Sequence, residues 1–109
     1  MKKNIKRALD KTPLITIVID IDRNVTYYNN FAKQKFLFLE EGRDINAVIR
    51  SPELNKYIDK AFTEKIDCKI EFQPSNFEDW YFIADLVFFP DSDDANKELT
   101  IMLTDQTML

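Results

Sequence analysis

Asp85 is the residue in this chain with the clearest catalytic potential, because it interrupts a long run of apolar and aromatic residues, Trp80–Phe89. A carboxylate buried in such surroundings has a raised pKa and can act as a general base, as in small curved-sheet isomerases. The plainer interpretation is that Asp85 faces solvent or pairs with Lys or Arg across a sheet, since antiparallel sheets often have one wet face. We favour the plainer interpretation and keep the catalytic one as an alternative.

Other residue types with chemical potential also have plainer interpretations. Cys68, the single cysteine, is expected to be a packed strand residue. The loop with Asp91, Asp93 and Asp94 lacks the glycine and the distal glutamate of a calcium loop, so we interpret it as a solvated hairpin tip. Seven aromatic residues could line a ligand pocket between a sheet and helices, but such residues more often form a core. They are Phe31, Phe36, Phe38, Tyr57, Phe62, Trp80 and Phe82.

The absent residue types exclude most familiar catalytic machinery. The 109 residues include no histidine, so the chain has no Ser-His-Asp or Cys-His nucleophile, phospho-accepting histidine or common zinc-enzyme site. Gly42 is the single glycine, whereas glycine-rich phosphate cradles need several residues that accept positive φ. Nucleotide hydrolysis and transfer are therefore not expected.

Charge and hydrophobicity restrict the partners and the location of the chain. The formal net charge of -4 lacks the basic excess that gives non-specific affinity for nucleic acids. No run approaches the roughly 18 apolar residues of a membrane span, and no apolar segment follows the N-terminal charges. A single cysteine gives no sign of an oxidising compartment. We therefore expect a cytoplasmic domain that binds no nucleic acid and inserts no segment into a membrane.

The N-terminal part of the chain predicts a helix followed by a β-hairpin. Residues 1–12 have the apolar and basic pattern of an amphipathic helix, which could lie near an acidic membrane surface or pack against a second copy. Leu14–Ile21 is β-branched and apolar, as expected of a central strand. Val25–Tyr28 favours β structure after a short polar turn, and so predicts the second strand of the hairpin.

Three short helices and three strands are predicted next. The first helix begins at Asn29 or Asn30 and carries aromatic residues on its inner side as far as Phe38, while Asp44 and Ser51 cap the second and third. A period of two then predicts three strands. These strands are expected at Asp67–Gln73, Trp80–Phe89 and Leu99–Thr104. Two runs of strands separated by helices predict an α+β fold with a five-stranded antiparallel sheet.

The order of these elements, together with two motifs, resembles a PAS domain over residues 14–109. PAS domains commonly carry Asp-x-x-Gly-x-Ile-x-x-x-Asn across the first hairpin, which Asp20–Asn29 resembles, and end in Asp-x-Thr, as Asp105 and Thr107 do. The stretch Gly42–Leu54, with Ala61 later in the helix, is similar to the PAS domain of phosphate-regulon-type sensor histidine kinases. The resemblance implies a PAS domain at residues 13–109, preceded by the helix at 1–12.

Departures from the family pattern affect the hairpin and the cofactors. Arg23 or Asn24 replaces the glycine of the hairpin motif, and of the two only Asn readily takes the left-handed conformation. Light-sensing flavin relatives keep a cysteine in the helical region, whereas Cys68 lies at the start of a strand. Haem-binding relatives mostly use an axial histidine, which this chain lacks. The sequence therefore predicts no flavin adduct, no haem and no metal.

The resemblance gives Asp105 and Thr107 a role in signal coupling. A carboxylate where the last strand ends can accept hydrogen bonds, and Thr107 can cap the helix expected to follow, so together they would fix the angle at which that helix leaves the sheet. The plainer alternative is a frayed C-terminal turn. Because the chain stops at Leu109, where the outgoing helix would start, we expect it to be a piece of a longer protein.

The sequence thus predicts a non-catalytic sensory and dimerisation module of a two-component sensor histidine kinase. A signal would shift the population between two orientations of the entering and leaving helices, and so bias a kinase domain beyond the C-terminus. We expect a cytoplasmic homodimer within a parent protein that can be anchored in the inner membrane. The alternatives are a PAS domain attached to a cyclase or a transcription regulator, and a small isomerase-like enzyme using Asp85.

Overall fold

The computed structural model describes residues 14–89 and 97–106. Their helices and strands, in chain order, are β1 (Ile15–Asp20), β2 (Val25–Tyr28), α1 (Asn30–Lys35), α2 (Ile45–Val48), α3 (Pro52–Glu64), β3 (Cys68–Phe72), β4 (Phe82–Phe89) and β5 (Glu98–Asp105). The predicted helix at residues 1–12, the acidic residues Asp91, Asp93 and Asp94, and Thr107 lie outside the described residues.

The five strands form one antiparallel sheet in the order β2-β1-β5-β4-β3. The first and last strands pair at its centre, where Ile15 lies opposite Leu103 and Asp20 lies opposite Glu98. All three helices come between β2 and β3. The predicted α+β fold, with a five-stranded antiparallel sheet and short helices inserted after the second strand, is confirmed.

The core lies between one face of this sheet and the helices. Side chains alternate along a strand, so every second residue of the three central strands faces the core, and Ile17, Leu86 and Ile101 have no exposed surface. Helix α3 supplies Leu54 and Ile58 from its apolar stripe, both of which are fully buried. Each such side chain contributes about 1.5–3 kcal/mol through burial, which is what holds the helices on the sheet.

Each helix begins at a polar residue that the sequence predicts as a cap. The side chains of Asn29, Asp44 and Ser51 each accept a hydrogen bond from a backbone N–H two or three residues further along. Pro52 occupies the first turn of α3, where its missing N–H removes no helical hydrogen bond. The three helix starts are therefore encoded locally, by residues that satisfy otherwise unpaired N–H groups.

The first helix is shorter than the sequence predicts. Helix α1 ends at Lys35, because Phe36 adopts an extended backbone (φ -116°, ψ 92°) and its ring is buried. Phe38 is 70% exposed and Phe31 is 39% exposed, so the prediction that both lie on the inner side of the helix was wrong. The Nζ atom of Lys33 donates to two carbonyl oxygens of the segment that follows the helix, which fixes this early exit.

The fourth strand also begins later than predicted. Strand β4 starts at Phe82, whereas Trp80 belongs to the loop before it and donates its backbone N–H to the carbonyl oxygen of Phe77 at 3.0 Å. The aromatic residues of this loop have high β propensity. The turn that begins at Pro74 nevertheless keeps Trp80 out of the strand.

Residues 42–45, where the chain enters α2, bind the backbone at the start of β2. The N–H of Val25 donates to the carbonyl oxygen of Arg43 at 2.8 Å, and the N–H of Gly42 donates to the carbonyl oxygen of Val25 at 2.7 Å. A third hydrogen bond runs from the N–H of Ile45 to the carbonyl oxygen of Arg23 at 2.9 Å. Gly42 has φ +84°, a conformation in which glycine avoids the clash of a side chain.

Candidate functional site

Asp85 lies on the face of the sheet opposite to the core. Its neighbours Ala84 and Leu86 are fully buried, so the alternation of side chains places Asp85 on the other face. There it is partly exposed, opposite Lys69 of β3 and Met102 of β5. This position agrees with the plainer interpretation of Asp85 and removes the buried, core-facing carboxylate that an isomerase mechanism requires.

A cluster of aromatic rings packs between the end of α1 and the start of β4. The ring centre of Phe36 lies 5.9 Å from that of Phe77, 5.8 Å from that of Trp80 and 5.8 Å from that of Phe82. Phe77 and Trp80 stack at 4.1 Å with an angle of 12° between their planes. Phe36 and Phe82 are almost completely buried, so these rings form part of the core rather than the wall of an open pocket.

Lys35, the last residue of α1, links this cluster to the end of the sheet. Its Nζ atom lies 2.8 Å from Oδ2 of Asp105 and 4.0 Å from the centre of the Trp80 ring. The two charged side chains keep a quarter to a third of their surface exposed. A partly exposed ion pair contributes about 0–1 kcal/mol and a cation–π contact about 0.5–2 kcal/mol, so their main effect here is to fix geometry.

The end of β5 is held by the sheet as well as by the helix. Asp105 is the last residue of the strand and lies opposite Phe82 of β4. One residue further along, the N–H of Gln106 donates to the carbonyl oxygen of Tyr81 at 2.8 Å. A displacement of α1 relative to the sheet therefore changes the contact between Lys35 and Asp105. The predicted partner of Asp105, Thr107, lies outside the described residues.

Sequence reasoning did not find Lys35, although it singled out Asp105. No local pattern relates a lysine at the end of a helix to a carboxylate at the far end of the chain. Their approach depends on the pairing of β4 with β5 and on the packing of α1 against the sheet. The sequence predicts that Trp80, the aromatic residue beneath the lysine, lies in a strand, whereas it lies in the loop before β4.

Asn29, which matches the last position of the hairpin motif, joins β1 to α1. Its Oδ1 atom accepts hydrogen bonds from the N–H of Thr16 at 3.1 Å and from the N–H of Ala32 at 3.0 Å. Its Nδ2 atom donates to the carbonyl oxygen of Leu14 at 2.6 Å. The side chain is 1% exposed, and the two hydrogen bonds accepted by Oδ1 are buried away from competing water. Asn29 therefore determines where α1 begins relative to the sheet.

Arg23, and not Asn24, takes the left-handed conformation in the hairpin, with φ +74°. The expectation from residue preference was wrong because the Arg23 side chain has partners on α3. Its guanidinium carbon lies 4.8 Å from the centre of the Phe62 ring, and Nη2 pairs with Asp59. Such contacts offset the cost of a left-handed residue, roughly 1–2 kcal/mol.

Among the residues that the structure describes, two ionisable groups have clearly shifted pKa values, and both lie on or beside β3. The hydroxyl of Tyr81 donates to Oε2 of Glu71 at 2.7 Å, and this hydrogen bond is the main cause that raises the pKa of Tyr81. Burial raises the pKa of the Cys68 thiol, and the charge of Lys60 opposes this effect. Neither shift creates an activated nucleophile, since both stabilise the neutral form.

Two further features of the described residues concern membranes and metals. No helix among them is long and apolar enough to cross a membrane. Within the same ranges, 14–89 and 97–106, no group of three His, Cys, Asp or Glu side chains is placed to hold a metal ion.

Comparison with known proteins identifies the fold. No protein-family model and no curated protein matches the chain. Among solved structures, a sensory box sensor histidine kinase from Vibrio cholerae superposes with a TM-score of 0.69 at 14% identity, over 94% of this chain and 86% of that one. A LOV protein from Rhodobacter sphaeroides gives 0.76 at 12% identity, over 95% of this chain and 66% of that one.

A third structure shows the likeness over nearly the whole of both chains. The PAS domain of a protein from Colwellia psychrerythraea superposes with a TM-score of 0.71 at 13% identity, over 98% of each chain. Identities this low are informative about the arrangement of helices and strands rather than about activity. With its five strands, inserted helices and sheet order, this chain has the PAS fold.

Proposed function

We propose that this chain is a non-catalytic sensory and dimerisation module of a two-component sensor histidine kinase. The fold supports a sensory role, and one of the similar structures is that of a sensor histidine kinase. The position of Asp85 away from the core gives no support to a catalytic role. The proposed module contains no haem, flavin adduct or metal, and acts in the cytoplasm.

The observation that carries this proposal is the attachment of Asp105. The carboxylate at the end of β5 is bound to Lys35 of α1, while the next residue, Gln106, is bound to Tyr81, the residue just before β4. A movement of the helical layer against the sheet therefore changes the contacts of Asp105, the last residue of β5. In the proposed mechanism this change alters the direction of the chain beyond Gln106.

A population shift of this kind needs only a small difference in free energy. The ion pair and the cation–π contact of Lys35 together are worth about 0.5–3 kcal/mol. A signal that breaks them in one conformation changes the ratio of two states by roughly 2–150-fold, since about 1.4 kcal/mol is a factor of ten. This is enough to bias a kinase domain that follows the module.

The test has two parts, both on the full-length protein. Native mass spectrometry should show a dimer, and autophosphorylation should change in the variants Lys35→Met and Asp105→Asn but not in Lys56→Met, an exposed lysine of α3. A monomer at micromolar concentration would remove the dimerisation role. If the coding sequence downstream specifies a cyclase or a transcription regulator, the histidine-kinase assignment is wrong and the sensory module serves that output instead.

A further inference from the structure

The loop between β3 and β4, residues 73–81, is bound to the junction between α2 and α3. Oδ1 of Asn76 accepts from the N–H of Arg50 at 3.0 Å, and Nδ2 of Asn76 donates to the carbonyl oxygen of Val48 at 3.2 Å. The N–H of Ser75 donates to the carbonyl oxygen of Arg50 at 2.7 Å. Three hydrogen bonds from two adjacent loop residues thus attach the loop to the helical layer.

The same loop carries two rings of the aromatic cluster, Phe77 and Trp80. Phe77 follows Asn76 directly, and the stacked ring of Trp80 is the one over which the Lys35 ammonium lies. The turn between the two rings is closed by the hydrogen bond from the N–H of Trp80 to the carbonyl oxygen of Phe77. Asn76 is therefore connected to the indole through a hydrogen-bonded turn and a ring stack.

We propose that the β3–β4 loop couples the α2–α3 junction to the end of β5, with Lys35 as the positioning residue. The inference rests on the proposed coupling role of Asp105 and adds the route by which the helical layer reaches it. When the junction moves, Asn76 and the Phe77–Trp80 pair move with it. Lys35 then follows the indole and displaces Asp105.

The route is tested at its two ends in the full chain. The readout at β5 is hydrogen exchange of the Gln106 amide, and the readout at the indole is fluorescence, since Trp80 is the single tryptophan. Asn76→Ala should accelerate Gln106 exchange about fivefold, a typical coupling between sites, and shift the Trp80 emission. Asn30→Ala, the same chemical change at an exposed residue, should alter neither.

Variants of Lys35 distinguish coupling through this residue from a general loosening of the loop. In a Lys35→Met background, Asn76→Ala should no longer accelerate Gln106 exchange, whereas in a Lys35→Arg background, which keeps the charge, it should do so again. The proposal is overturned if Asn76→Ala leaves Gln106 exchange unchanged in a folded protein. It is also overturned if the acceleration is equal in the Met and Arg backgrounds.

Failure of this inference is distinguishable from failure of the proposed function. If Asp105→Asn alters the output of the full-length protein while Asn76→Ala does not affect Gln106 exchange, the function stands and the route is wrong. If Gln106 exchange responds as expected but Asp105→Asn leaves the output unchanged, the route stands and the signalling role of Asp105 is wrong.

Discussion

Replacing Asn29 with alanine should destabilise this domain more than any other single change of a polar side chain described above. The substitution removes the Oδ1 acceptor shared by the N–H groups of Thr16 and Ala32, and the donor to the carbonyl oxygen of Leu14. Thr16 and Ala32 have no exposed surface, so water cannot replace the lost partner without a local opening of the structure.

The expected magnitude follows from these contacts. Each buried N–H left without a partner costs about 1–3 kcal/mol, and the loss of a helix cap alone typically costs about 1 kcal/mol. Since one of the two N–H groups belongs to the cap, the total for Asn29→Ala is about 2–4 kcal/mol. For a domain of this size that corresponds to a fall in melting temperature of at least about 8 °C.

Urea unfolding, followed by far-ultraviolet circular dichroism and by Trp80 fluorescence, measures this loss. Asn29→Ser keeps a hydroxyl that can cap α1 but cannot reach β1, so it should recover only about 1 kcal/mol of the loss. Asn30→Ala, at the exposed first position of the helix, should stay within about 0.5 kcal/mol of the parent. A loss below about 1 kcal/mol for Asn29→Ala would refute the view that Asn29 joins the strand to the helix.

Three further outcomes are expected. Arg23→Gly should be more stable than Arg23→Ala by about 1 kcal/mol in urea unfolding, because both lose the side-chain contacts but only glycine relieves the positive φ. Phe36→Ala should lose about 3–5 kcal/mol, whereas Phe38→Ala, at a largely exposed ring, should lose less than about 0.5 kcal/mol; equal losses would contradict the early end of α1. The hydrogen bond to Glu71 raises the pKa of Tyr81 in the folded state, so the folded chain holds the phenolic proton where the unfolded chain loses it. The free energy of unfolding should therefore fall as pH rises above about 10, and less steeply in Tyr81→Phe; identical slopes would exclude this linkage.

The sequence predicts most of the fold because the signals involved are local. Asp44 and Ser51 cap helices through residues two or three positions away, and the apolar stripe of α3 repeats at helical spacing. The alternation in Cys68–Phe72 equally needs no information from elsewhere in the chain. Such patterns define the elements, and their order then favours one α+β arrangement.

The misplacement of the left-handed residue and the omission of Lys35 have a different cause, which is a partner distant in the sequence. Arg23 tolerates a left-handed backbone because Phe62 and Asp59 of α3 bind its side chain. Lys35 is a candidate functional residue only because Asp105 ends a strand beside it. Residue preferences average over environments, so they cannot register a compensation that the folded chain itself creates.

The hydrogen bonds at the outer edge of β2 affect whether copies of this domain can aggregate by pairing their edge strands. Gly42 and Arg43 already bind the carbonyl and N–H groups of Val25, and Ile45 binds the carbonyl group of Arg23, so an extended segment from another molecule cannot pair with the start of that strand. Among the described residues no strand pairs with the opposite outer edge, on β3, where Lys69 and Glu71 are exposed. Strand addition there would require these charges to be desolvated. The start of one border of the sheet is thus protected against intermolecular β-aggregation by backbone hydrogen bonds, and the other border by charge.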